Sequence, residues 1–214
     1  MIVFEKPIVM LDFETTGLSP DRGDRITEVA ALRIVNGKIA DRLVSLVNCN
    51  VRLPFFITQL TGITQAMVDA APVASVVVPE LLRFIGTDAL SAHNAGFDAK
   101  FLLAESQRLG LAPENEGLIC SLKLSRRVFP GLASYKLATL ASELGIRFKS
   151  VAHRAEADAE VSANLLLHIG RHLSGTYGFP AIDPHLLESV NKLSAVKVPD
   201  FLKKKMLSTN SDRR

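Results

Sequence analysis

The sequence has no tryptophan, only two cysteines and no long uninterrupted apolar run. A membrane-spanning helix needs about 20 apolar residues in a row, so no membrane segment is predicted. The first residues, MIVFEKPIVMLDFE, are interrupted by Glu5, Lys6 and Asp12 and lack the order of a secretory signal. Cys49 and Cys120 are too few for a disulfide scaffold and lack metal-ligand spacing. These absences predict a cytoplasmic protein with buried thiols.

The chain also lacks a strong charge of either sign, with 25 Lys+Arg, 22 Asp+Glu and a net charge of +3. Taken alone, this small excess is what chance would give. If carboxylates gather in a metal site, however, the rest of the surface is more basic than the net charge of +3 indicates. A nucleic-acid enzyme requires such a basic surface. A length of 214 residues with 48% hydrophobic residues predicts one globular domain that folds without disulfides or metal.

Apolar patterning predicts an α/β domain. Asn36-Gly37 stands between two β-branched runs and favours a two-residue type I′ hairpin turn. Helices and strands alternate after this hairpin, which predicts a mixed central sheet with flanking helices. Strands are predicted at residues 8–13, 25–35, 38–47, 89–93 and 118–121, and helices at 64–70, 74–85, 96–109, 134–144 and 155–173.

The patterning weakens after Gly175, where prolines punctuate the chain. We therefore expect a core domain at residues 1–175 and an extension at 176–214, with the boundary near Thr176. In the extension, Leu186, Leu187, Val190 and Leu193 have helical spacing. The extension could pack back on the core, bind a partner protein, or be dispensable.

Asp12 and Glu14 stand two residues apart at the end of the first predicted strand, so both side chains point to the same face. Two carboxylates there repel each other unless a cation lies between them. Mg²⁺ and Mn²⁺ prefer such oxygen ligands. Without further residues, the pair is more simply explained as the solvated end of a strand.

Three more polar residues fall at element ends. Asp98 lies in the first turn of a predicted helix, where the helix dipole favours an acid whatever its function. Asp158 falls on or beside the apolar stripe of the last predicted helix, where an unpaired charge is costly. His153 precedes that helix and could face the same site, although a lone histidine usually has no such role.

Together, four acids and one histidine fit a known chemistry. Two metal ions about 3.5–4 Å apart, clamped by carboxylates, stabilise the attacking and leaving oxygens of phosphodiester hydrolysis. A histidine, which titrates near neutrality, is suited to act as the base for the attacking water. The set therefore predicts a metal-dependent phosphodiesterase.

Three segments resemble the motifs of the DEDD exonucleases, the family of the proofreading subunit of bacterial DNA polymerase III. They are DFETTG at residues 12–17, HNAGFD at 93–98, and His153 five residues before Asp158. The motifs come in the family's order and span about residues 7–173. The histidine marks the DEDDh subclass, because the other subclass has a tyrosine where this chain has Arg154.

The resemblance implies a ribonuclease H-like fold and a 3′-to-5′ exonuclease. The implied substrate is DNA with a free, single-stranded 3′ end, and the implied products are nucleoside 5′-monophosphates, in proofreading or repair. Of two divalent ions, Mg²⁺ or Mn²⁺, the first would be bound by Asp12, Glu14 and Asp158. The second would be touched by Asp12 and bound by Asp98, partly through water. His153 would be the general base.

The resemblance also implies contacts to the substrate. Thr15 and Thr16, with Asn94, would hold the 3′-terminal nucleotide, while Ile63 would pack on its base and Phe97 beside its sugar. Core packing is an alternative for the two apolar side chains. Looser candidates are Phe55 and Phe56 for base stacking, although burial under a loop is the more common arrangement of such side chains. A set of cations could line the phosphate path, and a solvated face explains them equally well: Arg126, Arg127, Lys136, Arg147 and Lys149.

Other classes of function stay open on the sequence. RNA 3′-end processing is the main rival to DNA proofreading, because no residue reveals how the 2′-OH is treated. A silent nucleic-acid-binding module on the same fold is a second alternative, and a metal-dependent enzyme with another substrate is a third. The presence of all five catalytic positions disfavours the silent module.

Overall fold

A computed structural model describes residues 3–146 and 153–211, with side chains as far as Ser208. Five strands form one sheet in the order β3-β2-β1-β4-β5. The first three pair antiparallel, and β4 and β5 run parallel to β1. The carboxyl ends of β1, β4 and β5 therefore meet at one edge, called the carboxyl edge below. The strands are β1 Ile8–Thr15, β2 Ile26–Val35, β3 Lys38–Leu46, β4 Ala89–Ala92 and β5 Leu118–Cys120.

Nine α-helices surround the sheet in the described part of the chain. The mixed sheet with flanking helices confirms the predicted α/β class. The hairpin is also confirmed, since Asn36 and Gly37 both have positive φ between β2 and β3. The helices are α1 Phe55–Thr61, α2 Gln65–Asp69, α3 Ala74–Ile85, α4 Gly96–Arg108, α5 Ser121–Val128, α6 Leu137–Glu143, α7 Ala155–Tyr177, α8 Pro184–Lys192 and α9 Val198–Ser211.

Alternation along β1 divides the core into two layers. Ile8 and Met10 face a layer that includes α5 to α9. Val9 and Leu11 face the opposite layer, built mainly from α3 and α4. Because side chains alternate along a strand, Asp12 and Glu14 continue the row of Ile8 and Met10. They therefore lie on the face that α7 covers.

The predicted elements are present, with four differences. Helices α1, α5 and α9 were not predicted. Helix α1 has Pro54 at its N-cap and leaves its two phenylalanines exposed, so it has no apolar stripe to signal it. Helix α5 follows β5 with no breaking residue between them. The helix predicted at 134–144 begins only at Leu137, because Tyr135 is used in the preceding loop, where its hydroxyl donates to Phe129 O.

The segment after α7 packs on the core. Helix α7 ends at Tyr177, so the expected boundary near Thr176 falls in its last turn. Apolar side chains of α8 and α9 are buried with Val3 and Phe4 near the chain start; they include Leu187, Val190, Val198 and Leu202. The side chains of Glu188 and Asn191 hydrogen-bond the backbone of β5. Among the described helices, none has the length and apolar character needed to span a membrane.

Candidate metal centre

Three carboxylates converge where β1 ends beneath α7. Asp12 and Glu14 come from the strand, and Asp158 comes from the first turn of the helix. One oxygen from each lies within 4.8 Å of the others. Divalent cations such as Mg²⁺ bind oxygen ligands of this kind, so the residue types and their spacing fit a hard cation.

The electrostatics of the cluster favour a bound cation. Burial, followed by the charges of Asp98, Asp158 and Glu14, raises the pKa of Asp12 well above its usual range. Burial and the charge of Asp158 raise the pKa of Glu14 to about 7. Burial also raises the pKa of Asp158. Negative charges that are costly to hold together are stabilised when a divalent cation neutralises them.

Asp98 approaches the cluster from another side. It is buried in the first turn of α4, and its Oδ1 accepts a hydrogen bond of 3.2 Å from the Phe13 backbone N–H. Burial raises its pKa to about 8. Asp98 is not one of the three acids within 4.8 Å, yet its charge raises the pKa of Asp12. The structure thus places a fourth carboxylate beside the first three.

His153 lies at the start of α7, in the left-handed region with φ 64°. Its backbone N–H donates to Asp158 Oδ2 at 3.3 Å, and its side chain is exposed. The interaction with His153 lowers the pKa of Asp158, against the larger effect of burial. The histidine is therefore next to the acidic cluster on its solvent side, where a water or substrate can reach it.

An ion pair not predicted from the sequence holds the start of α7 on the sheet. Glu28 of β2 stands opposite Glu14 and is buried. Its carboxylate accepts from Arg154 Nη2 at 2.5 Å, from Arg154 Nε and from the Ala155 backbone N–H at 2.9 Å. The only sequence signal was a charged residue inside the apolar run ITEVAALRIV. This clamp positions the turn that carries Asp158.

The loop after β1 is held by its own polar groups and by α4. Thr16 Oγ1 accepts from the Arg25 backbone N–H at 3.0 Å, and Thr15 Oγ1 donates to Gly17 O at 2.6 Å. A Cβ at Gly17 would collide with the Asp24 carboxylate, so a larger residue there would have to displace the Asp24 side chain. The buried Glu105 accepts two hydrogen bonds from Arg25, of 2.6 and 2.9 Å. Thr15 and Thr16 are thus rigidly placed beside Glu14.

The remaining predicted substrate residues are placed differently. Ile63 is fully buried with Cys49, Leu53 and Val68 and presents no surface to a ligand. Asn94 is exposed with φ 66°, and Phe97 is half-buried with its ring centroid 5.0 Å from that of Phe101.

Other apolar side chains are exposed instead. Leu18 is 78% exposed on the loop after β1, and Phe55 and Phe56 are 75% and 60% exposed on α1. Aromatic side chains that face solvent can stack on bases. Exposure of Leu18 was not predicted, and for the two phenylalanines burial was the expected alternative.

The sequence profile of the family described as exonuclease matches residues 9–166. A 3′-5′ exonuclease DinG from Bacillus subtilis is 39% identical over 161 residues, which are 75% of this chain and 17% of that protein. A DNA polymerase III subunit epsilon from Aquifex aeolicus is 34% identical over 170 residues, 79% of this chain and 83% of the relative. The chain therefore spans a small part of the DinG relative and most of the epsilon subunit.

The fold is also that of solved exonuclease structures. Exonuclease X, solved in complex with 5′-overhanging duplex DNA, superposes with a TM-score of 0.67 at 28% identity, over 86% of this chain and 99% of that one. The nuclease domain of 3′hExo, a DEDDh family member bound to rAMP, has a TM-score of 0.69 at 24% identity, over 82% and 96%. These likenesses confirm the ribonuclease H-like fold.

Proposed function

We propose that this chain, which belongs to the exonuclease family that includes the DNA polymerase III epsilon subunit, hydrolyses phosphodiester bonds from the 3′ end of DNA. The products would be nucleoside 5′-monophosphates, and the biological role proofreading or repair. The observation that carries this proposal is the convergence of Asp12, Glu14 and Asp158, with His153 beside them. Carboxylate ligands with a base beside them suit two-metal phosphodiester hydrolysis.

The cofactors we propose are two divalent ions, Mg²⁺ or Mn²⁺. Asp12, Glu14 and Asp158 would bind one, and Asp98 with Asp12 the other. When bound, such ions stabilise the charge that develops on the attacking and leaving oxygens. The carboxylates hold their ligand oxygens in place because β1, α4 and α7 fix their backbones.

The chain's own residues supply the rest of the mechanism. His153, exposed beside Asp158, would accept the proton of the attacking water at its ring. Thr15, Thr16 and Asn94 would hold the terminal nucleotide, with Phe97 beside its sugar. The burial of Ile63 leaves Leu18 and Phe55 as better placed apolar contacts for the bases.

DNA is the substrate we propose, on the strength of the epsilon relative, most of which this chain covers. The proposed compartment is the cytoplasm, supported by the free, buried Cys49 and Cys120. We also propose that residues 176–214 bind a polymerase or another protein partner. It would have to use exposed groups such as Val196, since Leu187 and Leu202 are consumed by the core.

The test uses matched single-stranded DNA and RNA oligonucleotides, labelled at the 5′ end, with Mg²⁺ or Mn²⁺. We expect a ladder that shortens from the 3′ end of DNA, and none with EDTA. Asp12→Ala should lower turnover by about 10³-fold or more, since removing a ligand of both ions costs several kcal/mol of transition-state stabilisation.

The matched control is Asp41→Ala, which removes an exposed acid of β3 and should leave turnover unchanged. A preference for RNA would move RNA 3′-end processing ahead of proofreading. Retained activity in a folded Asp12→Ala protein would contradict the metal-ligand assignment. Absence of cleavage by folded wild type would favour the silent binding module.

A further inference from the structure

The structure separates the five cations that the sequence offered as a phosphate path. Arg127 donates from Nε to Leu193 O at 3.1 Å, so it fastens α5 to the C-terminal segment. Arg147 and Lys149 lie outside the described residues. Arg126 and Lys136 remain, and both line one groove beside the end of β4.

This groove has a volume of about 550 Å³ and is open to solvent. Among the described residues, its lining contains two cations and no aspartate or glutamate; the principal residues are His93, Leu122, Arg126, Tyr135, Lys136 and Leu137. Arg126 and Lys136 are exposed, and no carboxylate among residues 3–146 and 153–208 forms an ion pair with either. An open groove whose described lining carries cations without acids is complementary to an anionic chain.

The groove lies on the same face and at the same edge of the sheet as the acidic cluster. His93 directly follows β4, and Leu122 lies just after β5, at the carboxyl edge. The loop and helix that complete the groove pack in the layer that also contains α7. Strand β5 is two positions from β1, or roughly 10 Å at ordinary strand spacing. His93 and Asp98 are only five residues apart, at the two ends of the HNAGFD segment.

Packing holds the groove in shape without a ligand. The His93 ring is hydrogen-bonded to Ser121 Oγ at 3.0 Å and to Tyr135 O at 3.2 Å, which ties the end of β4 to the loop before α6. The Arg126 guanidinium lies 5.7 Å from the centre of the Tyr135 ring. Burial lowers the pKa of His93, and its ring braces the groove through these two hydrogen bonds. Arg126 and Lys136 supply positive charge to the lining.

We propose that this groove binds the phosphodiester backbone of the single strand immediately upstream of the scissile bond, with Arg126 and Lys136 each facing a phosphate. The inference rests on the proposed exonuclease function and extends it, because it assigns the route by which the strand reaches the cluster. It also predicts a preference for substrates longer than the terminal nucleotide.

The experiment compares a long and a minimal substrate. The long substrate is a single-stranded oligonucleotide, and the minimal one is the p-nitrophenyl ester of thymidine 5′-monophosphate, which has no upstream phosphate. We expect Arg126→Glu and Lys136→Glu each to raise KM for the oligonucleotide about tenfold, with an effect confined to the substrate that reaches the groove. The double variant should reduce the dependence of log KM on log salt by about 1.4, or 0.7 for each lost phosphate contact.

Two controls accompany these variants. Lys38→Glu reverses an exposed cation at the opposite end of the sheet and should leave KM for the oligonucleotide unchanged. Arg126→Lys keeps the charge and should restore most of the affinity that Arg126→Glu loses. An increase in KM from Lys38→Glu as large as that from Arg126→Glu would show only a general effect of charge. It would contradict the proposed role of the groove in binding the strand.

The outcomes distinguish this inference from the proposed function. If the double variant cleaves both substrates with an unchanged KM for the oligonucleotide, the proposed role of the groove is contradicted and the proposed exonuclease function still holds. If wild type cleaves neither substrate, the exonuclease proposal fails, and anisotropy of a labelled oligonucleotide still tests the groove. Weaker binding by the double variant would then support it, and equal binding would overturn it.

Discussion

The carboxyl edge of the sheet and the C-terminal buttress, residues 178–208, use burial in opposite ways. At the edge, Asp12, Glu14 and Asp98 are brought together in partly or fully buried positions that raise the pKa of each. In the buttress, Leu187 and Leu202 are fully buried among apolar side chains. The same removal from water that stabilises a leucine side chain destabilises a carboxylate.

This difference explains how the fold can hold buried carboxylates close together despite their electrostatic cost. The family profile ends at residue 166, so the buttress lies outside the matched region. The buttress nevertheless completes the core layer that includes α7, and α7 carries Asp158. We infer that an electrostatically costly edge is held in place by an apolar layer remote from it, which gives each region its own expected response to mutation.

The largest effect should come from the edge and should appear in turnover alone. His153→Ala removes the proposed base, so kcat should fall by about 10²–10⁴-fold while the free energy of unfolding changes little. Steady-state kinetics at neutral pH and urea unfolding measure the two. His185→Ala, an exposed histidine of the buttress, is the control. A loss of kcat below tenfold would remove His153 from the mechanism.

The complementary effect should come from the buttress and should appear in stability alone. Leu187→Ala leaves a cavity in a fully buried position and should lower the free energy of unfolding by about 2–5 kcal/mol. The kcat of the remaining folded protein should be unchanged. Val196→Ala, at an 88% exposed site, should change stability by less than about 0.5 kcal/mol. A large loss of kcat in folded Leu187→Ala would show that the two regions are not separable.

The clamp between Glu28 and Arg154 should connect the two properties. A double-mutant cycle of Glu28→Gln and Arg154→Gln should give a coupling of about 0.5–3 kcal/mol in the free energy of unfolding. Both single variants should also lower kcat, because the clamp positions the turn that carries Asp158. If the two substitutions have additive effects on the free energy of unfolding and leave kcat normal, the ion pair between Glu28 and Arg154 does not position Asp158.

The smallest effect should be on the pH dependence of stability. Glu14, whose pKa is raised from 4.5 to about 7, binds more protons in the folded than in the unfolded state between these values. Its contribution is therefore fully present below pH 4.5 and is lost as the pH rises to about 7.

This contribution is isolated by comparing wild type with Glu14→Gln. In EDTA, the free energy of unfolding of wild type relative to Glu14→Gln should fall by about 1 kcal/mol across the window, reduced by solvent screening. Magnesium chloride should reverse the sign, because a cation favours the ionised carboxylate. An identical pH profile for the two proteins in EDTA would mean that Glu14 is not held at an electrostatic cost.

Local pattern was sufficient for much of the site. The Asn36-Gly37 turn and the common face of Asp12 and Glu14 follow from backbone geometry that spans only a few residues. The exposure of Phe55 and the choice of Arg126 over Arg127 as a groove residue did not follow. Both depend on which neighbouring segments cover α1 and α5. These helices are too short for the periodicity of their apolar residues to show which face is covered.

The sequence by itself determined which chemical groups are available and which of them share a face of a strand or a turn of a helix. Covalent geometry sets those relations, so they hold before any packing occurs. Only the tertiary structure decided that Arg154 meets Glu28, 126 residues away. The family motifs implied that Asp158 joins Asp12 and Glu14, and the packing of α7 beside β1 is what brings these three carboxylates together. Contacts between distant segments depend on the order of the strands and on the packing of α7 against the whole core, including the buttress that carries no motif.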